Sequence, residues 1–390
     1  MARLVELERQ GQSVWYHDLR RGLVASGALA RLVADGVSGV TSNPTPAADV
    51  IGGSRDHDAP ARALATEGKH PAEVAEALGV KDVRIAADVL RPVYDRTRGR
   101  DGFVSFEISP TLAHDASGTV AEAYRLLEAV GRPNVMINVP ATPAGLWVIE
   151  HLVGEGISVN ATLLFSLERY EAVAGAYLAG LERRLGAGHG VAGVASVASF
   201  FVSRVDAAVD RLLDAEIGVA RSEAEARSLE ALRGRAAVGC AKTAYAAFKT
   251  IFSGADWRRL ARRGARVQRL LWASTEVERR ALGDLHYVEA LIGHDTVVAL
   301  PPATLEAFRR HGRVRPTLEE DLPGARAVLR DLETAGISLE RVGRNLEDDG
   351  LRAFAAASAP LLAPIITKPE KGVPGSAGSG PAGARRGSWW

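Results

Sequence analysis

Eight short runs of β-branched and apolar residues alternate with longer amphipathic stretches along this chain. Such alternation predicts parallel strands joined by crossover helices. Eight strand–helix units within about 300 residues favour an α/β fold of the closed (β/α)8 TIM-barrel type with extra helices, and an open doubly wound sheet is the alternative. No G-x-G-x-x-G motif follows the first run, which weakens that alternative. The predicted strands are residues 13–17, 37–42, 103–108, 135–139, 158–164, 194–202, 267–273 and 296–300.

The chain is predicted to divide into a barrel domain, residues 1–367, and a tail, residues 368–390. Amphipathic segments within the barrel domain, at 120–130, 167–185 and 236–252, are predicted helices. Gly, Pro, Ser and Ala dominate the tail, which predicts disorder there. The tail ends in Trp389 and Trp390, which either insert into a pocket or partner or have no selected role.

Charge and cysteine content exclude several classes of protein. Lys and Arg number 48 and Asp and Glu 47, so the net charge of +1 gives no electrostatic reason to expect nucleic acid or a membrane as partner. A single cysteine, Cys240, excludes an intrachain disulfide and fits a reducing compartment. No apolar run of about 18 residues and no secretory h-region are present, so we expect a cytoplasmic protein.

Polar residues recur where the predicted strands end, which in a barrel of this kind is where chemistry collects. Glu107 is a charge inside an apolar strand, and burial is costly unless the carboxylate is paired or its pKa rises. Such a glutamate suits general acid–base catalysis, although a structural glutamate at the barrel rim is the alternative. The candidate catalytic residues are His17, Glu107, Asn138 and Thr162. The candidate substrate-binding residues are Thr41, Asn43, Asn160, Ser199, Arg204 and Ser274.

Six segments of the chain carry distinctive motifs, at residues 40–45, 104–110, 136–142, 159–170, 195–206 and 271–275. In order and at family spacing, over roughly residues 8 to 365, these segments resemble the transaldolase family. The resemblance, strongest to the longer bacterial branch, implies a barrel that moves a dihydroxyacetone unit between sugar phosphates with no metal or organic cofactor. It implies a strand-four lysine that forms a Schiff base with the donor ketone. It also implies an aspartate on strand one and a glutamate on strand three that shuttle protons.

Part of the family's set of functional residues is kept. Glu107 matches the proton-transfer glutamate, and Thr162 matches a threonine that helps to place a water. The resemblance also implies that two asparagines bind substrate hydroxyls. It further matches a serine and an arginine at strand six and a serine at strand seven. These residues are Asn43, Asn160, Ser199, Arg204 and Ser274.

Three departures lie at the centre of the implied mechanism. Asn138 stands at the lysine position, and an amide nitrogen is not nucleophilic enough to form an imine. His17 stands at the aspartate position; presenting the adjacent Asp18 would need a one-residue slip that turns its side chain to the other face. Glu276 and Glu278 replace a glycine and a basic residue of the implied phosphate site, where they should repel phosphate.

The chain has only six lysines, so few residues could replace the missing amine. Lys242 and Lys249 lie on the predicted helix 236–252, away from the barrel rim, and a solvated or ion-paired role is expected for them. Cys240 on the same helix is expected to be a buried, inert thiol. The histidines lack the spacing of metal ligands, so we predict no metal site.

The favoured hypothesis is an enzyme repurposed for a sugar-like carbonyl or polyol substrate, as in specialised metabolism. His17 and Glu107 would serve as base and acid, and Asn138 would bind or polarise the substrate. The alternatives are a non-catalytic relative that binds a sugar or a partner protein, and a slow residual transaldolase or aldolase that uses Lys242 or a metal-free enol route. A homodimer is one assembly that we expect.

Overall fold

Eight parallel strands close into a barrel in sequential order, each paired with its neighbours along the chain and the last paired with the first. The computed structural model describes residues 2–41 and 58–358. The predicted (β/α)8 barrel and all eight predicted strands are confirmed. The strands are β1 Gln12–His17, β2 Gly39–Thr41, β3 Phe103–Glu107, β4 Val135–Pro140, β5 Val159–Leu164, β6 Ser196–Phe201, β7 Arg269–Ala273 and β8 Thr296–Leu300.

Several strand boundaries differ from the prediction by one or two residues, two of them for local reasons. Strand β6 ends at Phe201 because the chain turns directly into a helix at Val202. Strand β2 has three residues, and the predicted last residue, Ser42, lies outside the described residues. The apolar pattern does not predict these strand ends, because the first turn of a buried helix has the same apolar composition as a buried strand.

Helices surround the barrel, and the three that were predicted are confirmed. Those before β5 are α1 Ala2–Arg9, α2 Arg21–Ala25, α3 Ala28–Ala34, α4 Asp58–Thr66, α5 Pro71–Arg96, α6 Ala116–Val130 and α7 Pro143–Gly154. Those that follow are α8 Leu167–Gly186, α9 Val202–Gly218, α10 Glu223–Glu230, α11 Ala236–Ile251, α12 Ala255–Ala261, α13 His286–Ala290, α14 Pro302–His311, α15 Leu322–Thr334 and α16 Leu339–Ser358. Short 3-10 turns occupy Pro110–Leu112 and Arg280–Leu282.

Capping residues start several helices just after the strands, and this fixes the loops at the mouth of the barrel. Asp115, Thr142 and Ser166 each accept a hydrogen bond from a backbone N–H in the first turn of α6, α7 and α8. Such caps satisfy backbone donors that a helix start leaves unpaired. These caps therefore determine where the loops at the mouth end and the helices begin.

The register places the inward side chains in layers. An eight-stranded barrel of this type advances by about one residue per strand, so alternate strands contribute to the same layer. Counting along the observed pairs, β1, β3, β5 and β7 supply the layer nearest the mouth. That layer consists of His17, Glu107, Thr162 and Ala273. The next layer comes from the even strands and consists of Thr41, Asn138, Ser199 and Ala299.

The opposite end of the barrel is closed by a buried ion pair. Arg269 contacts Asp101 at 3.1 Å, and their side chains are only 5% and 8% exposed. Ser13 and the indole of Trp15 both donate hydrogen bonds to the same carboxylate, at 2.7 and 3.0 Å. This network ties β1, β7 and the loop before β3 together.

The last described helix, α16, lies against the mouth end of β5. A Cβ added to Gly350 would stand 3.1 Å from the Leu163 side chain, and Glu347 pairs with Arg169 of α8 at 3.0 Å. The predicted disordered tail, 368–390, with Trp389 and Trp390, lies outside the described residues. Among the helices of residues 2–41 and 58–358, none is long and apolar enough to cross a membrane.

Candidate active site

Glu107 and Asn138 are in contact at the barrel mouth. The two residues are register partners on β3 and β4, and the Asn138 amide donates a hydrogen bond to Oε1 of Glu107. Asn138 is 5% exposed, and its Oδ1 is buried without a hydrogen-bond partner among the described residues. The acceptor capacity of this amide is therefore unused within the described residues.

Glu107 is the acid of the layer nearest the mouth, and the pKa of its carboxyl group is strongly perturbed. Burial raises its pKa to about 8, and the hydrogen bond from Asn138 opposes that rise because it favours the charged form. Glu107 is thus mostly protonated near neutral pH and can donate a proton. This is the behaviour expected of a general acid.

His17 occupies the inward position at the end of β1, as the register of the sequence motif predicts. Its Nδ1 lies 2.8 Å from the Thr41 hydroxyl, and its Nε2 is buried with no partner in the described parts of the chain. Burial lowers the pKa of this imidazole, and the charge of Asp18 opposes the shift. A neutral imidazole with an unengaged nitrogen is suited to accept a proton.

Asp18 does not take the place of His17. It follows the end of β1 with a φ of 99°, a left-handed conformation that is costly for a residue with a Cβ. Its carboxylate pairs with Arg20 at 2.6 Å. The aspartate of this segment therefore stands at the rim, beside the inward-facing histidine.

A chain of hydrogen bonds connects the layers at the mouth to the layer beneath them. Asn160 donates to the Ser105 hydroxyl at 2.9 Å, and the Ser199 hydroxyl donates to Oδ1 of Asn160 at 2.7 Å. All three side chains are at most 3% exposed. Asn160 and Ser199, both predicted to bind substrate, therefore satisfy each other within the barrel.

Ser105 is a member of this network that sequence reasoning missed. It alternates with Phe103 and Glu107 on the inward face of β3, so the two-residue period of the strand was the signal available. Thr162 stands on β5 in the layer of Glu107 and is 7% exposed. Asn43, predicted to bind substrate, lies outside the described residues.

Arg204 is surrounded by carboxylates at the rim. Its guanidinium pairs with Glu278 at 3.1 Å, and the charge of Glu276 also acts on it. Burial lowers the pKa of Arg204, and both glutamates oppose that shift. Beside it, the hydroxyls of Ser203 and Ser274 are 2.8 Å apart, with Ser274 at a φ of 55°.

The four lysines in residues 2–41 and 58–358 all lie on or beside the outer helices, and none is on a strand. The Lys242 ammonium donates to the backbone carbonyls of Thr317 and Glu320, at 3.0 and 2.5 Å, and burial lowers its pKa. The others are Lys69, near Glu67, Lys81, which is exposed, and Lys249, paired with Glu319.

Two further expectations concern chemistry away from the mouth. Cys240 is buried, and its surroundings raise the pKa of the thiol to about 12, which suppresses the reactive thiolate. Among residues 2–41 and 58–358, no group of three or more His, Cys, Asp or Glu side chains could hold a metal ion.

Comparison with known proteins assigns this barrel to a family. The family described as Transaldolase/Fructose-6-phosphate aldolase matches residues 17–365. Transaldolase 1 of Streptomyces coelicolor is 47% identical over 375 residues, covering 95% of this chain and 96% of that protein. Transaldolase 1 of Streptomyces avermitilis is 45% identical over 366 residues, covering 93% and 95%. The transaldolase of Trichodesmium erythraeum is 39% identical over 374 residues, covering 95% and 98%.

A closed parallel barrel with polar strand ends, matched over nearly its whole length by these proteins, belongs to the transaldolase family. The membership expected from the sequence is confirmed.

Proposed function

We propose that this member of the transaldolase family acts on a sugar-like carbonyl or polyol substrate by acid–base chemistry, without a Schiff base. The observation that carries the proposal is the contact between Asn138 and Glu107. The resemblance puts an imine-forming lysine where Asn138 stands. An amide there supplies a hydrogen bond to the acid and no nucleophile.

The protonation states of the two candidate groups suit proton transfer. Glu107, with a pKa raised to about 8, carries a proton at neutral pH, while burial keeps His17 neutral. For an α-hydroxy carbonyl substrate, His17 Nε2 would take the proton from the carbon beside the carbonyl. Glu107 would give its proton to the carbonyl oxygen, which yields a neutral enediol.

Isomerisation is completed when the neighbouring carbon takes the proton held by His17 and the other enediol hydroxyl gives its proton to Glu107. Epimerisation instead needs a proton to return to the original carbon on its opposite face, while Glu107 takes back the proton that it gave. The same pair could support dehydration, cyclisation or an aldol step that begins from the enediol. Asn138 Oδ1, which is buried and unpartnered among the described residues, would accept a bond from a substrate hydroxyl. Thr162, in the same layer as Glu107, would position a water or a hydroxyl.

In this proposal, the substrate lies along the half of the mouth that β7 and β8 form. Ala273 and Ala299 are the inward residues of β7 and β8 in the two layers nearest the mouth. Both side chains end at Cβ, whereas the facing strands β3 and β4 carry Glu107 and Asn138, and β1, beside β8, carries His17. A sugar chain lying along the alanine side would face these three polar residues.

Exchange of carbon-bound hydrogen with solvent tests this proposal without knowledge of the product. Dihydroxyacetone, glyceraldehyde, fructose and unphosphorylated pentuloses would be incubated with the protein in D2O and followed by proton NMR. We expect deuterium at the carbon beside the carbonyl of at least one sugar. Glu107→Gln and His17→Gln should each lower the rate by about 100-fold or more.

Two variants at exposed positions serve as matched controls. Glu128→Gln, on α6, and His189→Gln, in the loop after α8, change the same residue types, and both should retain the wild-type exchange rate. If both mouth variants kept full exchange, the assignment of acid and base would be wrong. If no sugar exchanged above buffer yet some bound, the second candidate, a non-catalytic sugar-binding protein, would replace this proposal.

A further inference from the structure

Two glutamates act on the guanidinium of Arg204 at the rim beside the acid–base pair. Arg204 is the cation that projects from the start of α9, and Glu278 contacts it at 3.1 Å. Glu276 acts on the same guanidinium and is itself influenced by Glu278 and Asp18. Asp18 pairs with Arg20 at 2.6 Å, whereas the charges of Glu276, Glu278 and Arg211 all act on Arg204.

This arrangement disfavours a phosphate at Arg204. An arginine binds phosphate strongly when its paired N–H groups point at the anion with no competing carboxylate. Here a phosphate dianion would have to displace Glu278 from the guanidinium and then remain within the field of Glu276. Like charges placed together at a binding surface select against a partner.

The same groups suit hydroxyls. Two carboxylates offer acceptors, Arg204 offers donors, and the Ser203–Ser274 hydroxyl pair offers both. Sugar hydroxyls can bond to all of these without adding charge to the cluster. From these contacts we infer that Glu276 and Glu278 make this rim a subsite for the uncharged, polyhydroxylated end of the substrate, and that it rejects phosphorylated sugars.

This inference rests on the proposed function, because it assumes that the protein has a sugar-like substrate. Its test measures binding and needs no turnover. Inorganic phosphate would be titrated into the wild-type protein and into Glu276→Gly/Glu278→Lys by isothermal calorimetry at low ionic strength. We expect the double variant to bind phosphate at least about tenfold more tightly than the wild type, since a cation replaces a carboxylate at Arg204. The Glu128→Gln/Glu223→Lys variant is the charge-matched control, because it changes the net charge by the same amount at exposed positions; within the described residues, Glu223 pairs with Arg227 on α10.

Two results would overturn the inference. One is wild-type phosphate binding as tight as that of the double variant. The other is an equal gain in Glu128→Gln/Glu223→Lys, which would show that net charge alone was responsible. Should the double variant not fold, Glu276→Gln/Glu278→Gln keeps the side-chain sizes and removes both charges, and it should also bind phosphate more tightly than the wild type.

A comparison of two ligands separates this inference from the acid–base proposal. Binding of fructose and of fructose 6-phosphate would be compared on the same two proteins. The wild type should bind fructose at least as tightly as the phosphate ester, and the double variant should reverse that order. These outcomes do not depend on Glu107 or His17, so a failure of deuterium exchange would leave them in place.

Discussion

Asn138 donates a hydrogen bond to Glu107 between neighbouring strands of the barrel, at the level where substrate would meet the protein. In this contact a neutral amide holds an acid whose pKa burial raises to about 8. An ammonium group at the same position would hold the carboxyl group ionised instead. Compared with the lysine that the resemblance implies at this position, the amide is not a nucleophile and leaves its neighbour with a different proton content.

The pKa of Glu107 should respond to its amide partner. Replacing Asn138 with Leu removes the hydrogen bond that favours the carboxylate, so the pKa should rise further above about 8. Carboxyl carbon NMR of protein labelled at glutamate would report the titration. The control variant Leu332→Ile, a change inside the outer helices, should leave the pKa of Glu107 unchanged. A wild-type Glu107 pKa near that of free glutamate would contradict this prediction.

Glu107 should make folding stability depend on pH. A carboxyl whose folded-state pKa is raised keeps its proton longer in the folded than in the unfolded state. The stability that this difference contributes is present below the unfolded pKa near 4.5 and is lost as the pH rises towards about 8. Glu107→Gln should therefore gain stability relative to the wild type across this window, by at most about 1.4 kcal/mol per pH unit.

Urea unfolding at pH 5, 6.5 and 8 measures this difference. The gap between variant and wild type should widen with pH. A constant gap would mean that the carboxyl titrates alike in both states. Glu340→Gln, at an exposed position on α16, should show no such widening.

The ion pair at the base of the barrel should matter for stability. Arg269 and Asp101 are almost fully buried, so Arg269→Met leaves a buried carboxylate without its cation. Loss of one partner of such a pair costs about 3–5 kcal/mol. Chemical denaturation would measure this cost, and the double variant Arg269→Met/Asp101→Asn should recover part of it; a cost under about 1 kcal/mol would show that the pair is dispensable.

Lys242 should be a structural residue. Its ammonium bridges the backbone carbonyls of Thr317 and Glu320 on the outer layer. Lys242→Met should lower stability by about 1–3 kcal/mol, as expected for loss of charged hydrogen bonds, and should leave deuterium exchange unchanged. A loss of exchange without a loss of stability would place this lysine in the chemistry.

The barrel could be predicted from sequence because its periodicity is regular. Eight apolar runs, separated by amphipathic segments, specify strand number and order with little ambiguity. The inward positions of His17 and Glu107 also follow, since side chains alternate along a strand. The contact between Glu107 and Asn138 depends on the lateral register of β3 and β4, which no single strand encodes.

Other features of the mouth arise only from tertiary structure. Ser105 acquires its role by meeting Asn160 from a strand more than 50 residues away. The left-handed conformation of Asp18 is set by the turn after β1 and its salt bridge to Arg20, neither of which apolar patterning reports. Glu278 could be identified as unusual from the motif, but its pairing with Arg204 required the two loops to be placed together.

The central claim is that this chain works without an imine, and borohydride trapping tests it most directly. Wild type, Asn138→Lys and Asn138→Gln would be incubated with dihydroxyacetone, reduced with sodium borohydride and weighed intact by mass spectrometry. Peptide mapping would then locate any adduct. The account predicts a reduced triose adduct at position 138 of Asn138→Lys and none at a barrel residue of the wild type or Asn138→Gln. A stoichiometric adduct on a lysine of the wild type, at Lys242 or elsewhere, would contradict it.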